Sequence, residues 1–177
     1  MPTLFTHPAV PLALAAALGT RRIPPRLLAA GIVAAILPDA DVVAFSLRIP
    51  YDSMLGHRGF THSIAFAVAI ATVASLGARW LKASVAATAL FLFVATLSHP
   101  LLDGFTNGGR GVALGWPLSD ARWFAPFRPV QASPIGLNFF SARGVPVIVS
   151  ELLWIWLPCT AIGFAGWMAR PRTLASR

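Results

Sequence analysis

Long apolar runs limit this chain more than any other feature. They cover residues 9–18, 27–47, 61–78, 83–102 and 147–168, and the second is interrupted by Pro38-Asp39-Ala40-Asp41. A helix needs roughly 17 or more apolar residues to cross a bilayer. The first run approaches that length only when extended back to Leu4. Inside hydrocarbon a segment must satisfy its own backbone polar groups, so the spanning unit is a helix. The expected fold is an all-α, polytopic integral membrane helical bundle of about five membrane-embedded helices, a single domain over residues 1–177. Only 14 Lys and Arg and 6 Asp and Glu are present, far below the roughly 25% charged residues of a soluble domain. Without long polar tracts the chain is not disordered. The net charge of +8 is spread in short groups rather than along one basic face, which argues against nucleic acid as a partner.

The cations also give an orientation. Arg21, Arg22 and Arg26 fill one connection, Arg79 and Lys82 another, and Arg170, Arg172 and Arg177 the tail, with no acid among them. Six arginines on the other side (Arg48, Arg58, Arg110, Arg122, Arg128, Arg143) are mixed with Asp52, Asp103 and Asp120. The positive-inside rule puts the first set and the C-terminus in the cytoplasm. Segment 103–146 then faces the periplasm or exterior. It is rich in Gly, Pro and aromatics, as in Gly115-Trp116-Pro117 and Phe124-Ala125-Pro126-Phe127, and is expected to fold back over the outer mouth of the bundle or to lie at the membrane interface. The apolar stretch near the N-terminus has its arginines after it, the reverse of a cleavable signal. The single cysteine, Cys159, lies in an apolar run and reads as a hydrophobic filler.

Ionisable residues within spans are rare and costly, so each is a candidate for function. At about 1.5 Å per helical residue, His7 lies roughly 20 Å from the turn at Thr20 and Asp39 about 18 Å from Leu27. By the same rise His62 is about 24 Å from Ala78 and His99 about 24 Å from Ala83. Four segments therefore bring His or Asp to a similar depth, in the outer half of the membrane. His99 and Asp103, spaced i, i+4, share a helix face, although Pro100 predicts a break or a new helix nearby. Thr61 is a candidate cap for the helix that follows, with His62 in its first turn. This nitrogen and oxygen donor set suits Zn²⁺, with Mn²⁺ or Fe²⁺ next, and disfavours Ca²⁺. Asp52 and Asp120 read as loop residues. Glu151 reads as a cap or an arginine partner, and Trp154 and Trp156 as interfacial anchors.

In order, Thr6-His7, Leu37-Pro38-Asp39-Ala40-Asp41, His57-Arg58-Gly59-Phe60-Thr61-His62-Ser63, Ser98-His99-Pro100-Leu101-Leu102-Asp103-Gly104-Phe105-Thr106 and Gly115-Trp116-Pro117-Leu118-Ser119 resemble the YdjM-like family. These are bacterial and archaeal inner-membrane proteins described as predicted metal-dependent hydrolases. That family is in turn similar to the all-helical zinc phospholipase C and P1-type nuclease superfamily, which sets metal ions between helices. The resemblance implies one metal site from Asp39, His62, His99 and Asp103. It implies a second to which His7 and Asp103 contribute, hence one or two divalent ions. No histidine follows His99, which counts against a trinuclear cluster.

The activity implied is hydrolysis of a phosphoester by metal-activated water. Asp41 or His57 would accept the proton, and Arg58 would neutralise phosphate oxygens. A site at the outer leaflet predicts membrane lipids as neighbours and a lipid-linked or amphiphilic substrate. Two alternatives account for the same residues: a metal or ion transporter, and a non-catalytic protein whose metal staples helices. Transport predicts a polar path to the cytoplasm, for which only Thr72, Ser75, Ser84 and Thr88 are on offer.

Overall fold

The computed structural model describes residues 1–134 and 139–170; Arg172 and Arg177, which entered the charge argument, lie outside them. Among the described residues the chain is helical, with no strand and two isolated bridges, Thr106 to Val130 and Val112 to Trp123. Helix α1 is Ala9–Leu18. Helix α2, Pro25–Ile36, continues through a 3-10 turn at Leu37–Val42 into α3, Val43–Ser46. A 3-10 turn at Phe60–His62 precedes α4, Ile64–Ser75. Helix α5 is Val85–Gly104. Helix α6, Gly144–Glu151, runs through a π-helical stretch, Leu152–Trp156, into α7, Leu157–Met168.

Three continuous stretches are long and apolar enough to cross a membrane: Pro25–Ser46, Val85–Gly104 and Gly144–Met168. The other two apolar helices, α1 and α4, are shorter. All five expected helices are present, and three of them have the length of a span. Burial runs opposite to that of a soluble protein. Leu76 is 88% exposed, with Val73, Leu90, Val33 and Phe164 also outward, while every histidine is buried. An apolar exterior around a polar interior is the arrangement hydrocarbon demands.

The prolines interrupt less than the sequence suggests. Pro38 sits at the start of the 3-10 turn, where its missing N–H removes little, so the stretch tightens instead of breaking. Pro100 lies inside α5, which continues unbroken to Gly104. Upstream, Thr96 Oγ1 donates to the Leu92 carbonyl and Ser98 Oγ to that of Ala95. Pro158 is accommodated by the π-helical stretch before it. The cap of α4 is Ser63, whose Oγ accepts from Phe66 N at 3.0 Å. Thr61, expected there, has its hydroxyl committed to Asp41 instead.

Helix α5 is central, packing on α4 and on α2, while α1 pairs with α7. The α1/α7 contact is close because small residues meet: a Cβ on Gly166 would lie 2.5 Å from Ala17 Cβ. Small residues at such crossings let backbones approach where the hydrophobic effect gives no drive. Ile23, Leu27, Ala34, Leu81, Phe91 and Leu92 form an apolar cluster at one end of the bundle. The polar residues gather toward the other.

Candidate metal centre

Four elements converge on one point. His7 lies two residues before α1, Asp39 sits in the 3-10 turn after α2, His62 ends the turn before α4, and His99 and Asp103 share a face of α5. His7, His62, His99 and Asp103 are 0% exposed and Asp39 only 4%. Asp39, His62, His99 and Asp103 present ligand atoms all within 4.8 Å of one another. His99 Nε2 is 3.3 Å from Asp39 Oδ1, and His62 Nε2 is 3.5 Å from Asp103 Oδ2. Ligands bound at about 2.0–2.1 Å to one ion stand roughly 3.0–3.5 Å apart, so these spacings fit.

The hydrogen bonds around this group fix its chemistry. His99 Nδ1 is 2.7 Å from the Ala35 carbonyl oxygen, which only accepts, so Nδ1 carries the proton. Thr61 donates its hydroxyl to Asp41 Oδ2 at 2.7 Å and faces His62 Nδ1 at 3.0 Å with a lone pair. Asp41 Oδ2 is itself 3.2 Å from that nitrogen, so His62 Nδ1 is also the protonated one. The two Nε2 atoms then face each other 3.1 Å apart. Two lone pairs at that distance repel unless a cation or a shared proton lies between them.

A second set of unpaired atoms adjoins the first. The second oxygen of Asp39 and the first of Asp103 face His7 Nε2 at 3.8 and 3.9 Å, and the His7 ring stacks on His99 with centroids 3.6 Å apart. Among the described residues, neither nitrogen of His7, neither oxygen of Asp39 and not Oδ1 of Asp103 has a hydrogen-bond partner. Buried polar atoms without partners cost about 1–3 kcal/mol each, more when charged. So many at one point fit a site whose occupant is a divalent cation, and the donor set suits zinc, manganese or iron.

The three residues expected to act on substrate lie beside this cluster. Asp41 accepts from His57 Nδ1 at 2.6 Å through one oxygen. Its other oxygen takes Arg58 N at 3.0 Å and the Thr61 hydroxyl. The His57 ring is 5.7 Å from that of His62, edge to face. Arg58 is 1% exposed. Its Nε forms an ion pair with Asp103 Oδ2 at 2.8 Å, while the other guanidinium nitrogens donate to the Gly108 carbonyl and to Thr106 Oγ1.

Arg58 adopts φ 62°, a left-handed conformation unfavourable for a long side chain. Several contacts hold it there. Arg122, from the long loop, donates to the Arg58 carbonyl at 2.7 Å and to those of His57, Tyr51 and Ser53. Ala113 N also donates to the Arg58 carbonyl, at 3.0 Å. Gly109, at φ 83°, lies so near that a Cβ would meet Arg58 Nη1 at 2.5 Å. Burial raises the phenol of Tyr51 above its ordinary value, keeping neutral the ring that meets His57 edge-on. Residues Thr106, Gly108, Gly109, Ala113 and Arg122 of the long segment thus pack onto the site.

Sequence reasoning misses two residues. Arg122 reads as an ordinary loop cation, and no local pattern marks its reach to carbonyls more than 60 residues away. Glu151 accepts from the Thr3 amide and the Thr3 and Thr6 hydroxyls, so it anchors the segment that carries His7. Its place within an apolar run is the available signal.

Comparison with known proteins places the chain among inner membrane proteins. The family model described as YdjM inner membrane protein matches residues 1–173. The chain is 47% identical to inner membrane protein YbcI of Escherichia coli (strain K12) over 173 residues, covering 96% of this chain and all of that protein. No solved structure matches. With its apolar exterior and buried His/Asp centre, the chain belongs to the YdjM inner membrane protein family.

Proposed function

We propose that the chain is a metal-dependent hydrolase of the membrane, acting on a phosphoester in an amphiphilic or lipid-linked substrate. The observation that carries this is the pair of buried Nε2 atoms 3.1 Å apart, with carboxylate oxygens of Asp39 and Asp103 gathered within 4.8 Å of them. His62, His99, Asp39 and Asp103 would hold one ion, and His7 with the remaining Asp39 and Asp103 oxygens a second. Zinc fits first, then manganese or iron. An ion there supplies Lewis acidity toward a phosphoryl oxygen and lowers the pKa of water.

The chain's own residues divide the remaining work. Asp41 holds the proton on His57 Nδ1, which leaves His57 Nε2 bare to accept a proton. The same carboxylate orients His62, the support that metal-binding imidazoles usually have. Arg58, whose nitrogens lie on Asp103, Gly108 and Thr106, fixes the Asp103 carboxylate; meeting phosphate oxygens would require it to release the Gly108 carbonyl.

A second reading, a metal that staples helices without catalysis, is favoured by the complete burial of the ligands. Transport is less favoured. Thr72 and Ser75 turn their hydroxyls onto their own helix, and the apolar cluster around Leu27 and Leu92 closes that end. Elemental mass spectrometry of detergent-purified protein, then hydrolysis of phosphatidic acid and polyprenyl phosphate, tests the proposal. One or two equivalents of metal with turnover supports hydrolysis, metal with no turnover on either lipid supports the staple, and no metal after reconstitution overturns both.

A further inference from the structure

Helices α1 and α7 frame two adjoining depressions, one running from Ala9 and Trp156 along the helix pair and the other at the end away from the metal centre. A groove of about 370 Å³ runs between them, lined by Leu12, Ala16, Cys159, Phe164 and Trp167 and reaching Arg170. Beyond it lies a cleft of about 660 Å³ bordered by Arg21, Arg22 and Arg170 together with Leu18, Gly19 and Gly166. Among the described residues, no Asp or Glu lines either one. Arg170 belongs to both and joins an apolar track to a cationic mouth.

The position of Arg170 is built. One Nη donates to the Ala16 carbonyl in the last turn of α1. The guanidinium lies over Gly19, where a Cβ would come within 2.3 Å of Nη1. Gly19 has φ 80°, so both its backbone and the space above it require glycine. Nε of Arg170 is buried and has no hydrogen-bond partner among the described residues. Arg26, at the same end, differs: its guanidinium is already engaged with the Trp80 ring at 5.2 Å and the Trp80 carbonyl.

We propose that the α1/α7 groove and the Arg21/Arg22/Arg170 cleft together bind an anionic glycerophospholipid, with an acyl chain in the groove and its phosphate among the three guanidinium groups. Charge complementarity selects the occupant. Guanidinium groups match phosphate oxygens in pairs, and basic pockets between membrane helices hold anionic headgroups. A zwitterionic lipid would bring its own cation into a cleft without a carboxylate to receive it.

Native mass spectrometry of the full chain released from detergent, titrated with phosphatidylglycerol, phosphatidylcholine or inorganic phosphate, tests this. Each arginine near an anionic headgroup contributes about fivefold in affinity, so the triple variant Arg21→Gln/Arg22→Gln/Arg170→Gln loses roughly a hundredfold for phosphatidylglycerol. Binding by phosphatidylcholine is expected to stay weak and unchanged. Arg79→Gln/Lys82→Gln removes cations outside the cleft and should leave phosphatidylglycerol binding as it was. If the triple variant fails to fold, Arg21→Gln/Arg22→Gln leaves the Arg170 contacts intact and should cost about 25-fold. Equal retention of both lipids by the unaltered chain would overturn the proposal. So would undiminished phosphatidylglycerol binding by a folded variant, or displacement by inorganic phosphate at equal concentration, since the acyl chain would then add nothing.

Discussion

Asp41→Asn separates the support of the centre from its ligands. The carboxylate binds no ion in the proposed arrangement, yet its oxygens serve His57 at 2.6 Å, Arg58 N at 3.0 Å, Thr61 Oγ1 at 2.7 Å and His62 Nδ1 at 3.2 Å. Three of those donors face one oxygen, so the carboxamide oxygen of the variant takes that side and its NH₂ turns to His57 Nδ1. His57 must then accept at Nδ1 and carry its proton on Nε2, the wrong tautomer for accepting one there. Bonds to a charged acceptor contribute about 1.5–3 kcal/mol each against about 1 for neutral ones. Exchanging the carboxylate for an amide should therefore cost about 2–4 kcal/mol of stability. Loss of the support beneath His62 should weaken metal binding 10–100-fold, about 1.4–2.7 kcal/mol. A chelator-competition titration reads the second quantity and thermal unfolding in detergent the first. Unchanged metal affinity in a folded Asp41→Asn protein would refute the assignment of Asp41 as the support of His62.

Other perturbations reach different parts of the structure. His62→Ala/His99→Ala removes the facing Nε2 atoms and should bring metal content to background while circular dichroism stays helical. Glu151→Gln keeps the shape but weakens the hold on Thr3 and Thr6. It should reduce metal stoichiometry from two toward one, read by elemental analysis, because only His7 depends on that segment. Arg122→Ala frees the carbonyls of residues 51–58 and should lower stability by about 1–3 kcal/mol, with faster hydrogen exchange in that connection than in α5. Gly166→Val forces α1 from α7 and should destabilise by about 1–3 kcal/mol, seen as a lower unfolding temperature with metal content unchanged.

The site is legible in the sequence because membrane burial is unforgiving. A histidine or aspartate in an apolar run needs a reason, and equal depth along four segments points to one place. His7, Asp39, His62, His99 and Asp103 meet on that logic. Roles are less legible than membership. Asp41 and Asp39 look alike in Pro38-Asp39-Ala40-Asp41, and only the 3-10 turn sends one to the centre and the other to His57. Arg58 reads as free for phosphate because nothing local announces that Asp103, Thr106 and Gly108 surround it. Pro100 promises a break, yet α5 runs on through it to Gly104.

The π-helical stretch at Leu152–Trp156 has a consequence for how two distant side chains meet. In a regular helix residues five apart point about 140° away from each other around the axis. A widened turn, with its i→i+5 bonds, brings such residues back to nearly one face. Glu151 and Trp156 are five apart, and both reach Thr6: its hydroxyl donates to Glu151 Oε2 at 2.7 Å and accepts from Trp156 Nε1 at 3.0 Å. One surplus residue in the last helix works as a register key, turning an acid and an indole into a pincer on the residue before His7. Removing any residue from the stretch between them would leave both arms of the pincer in the sequence and break its grip.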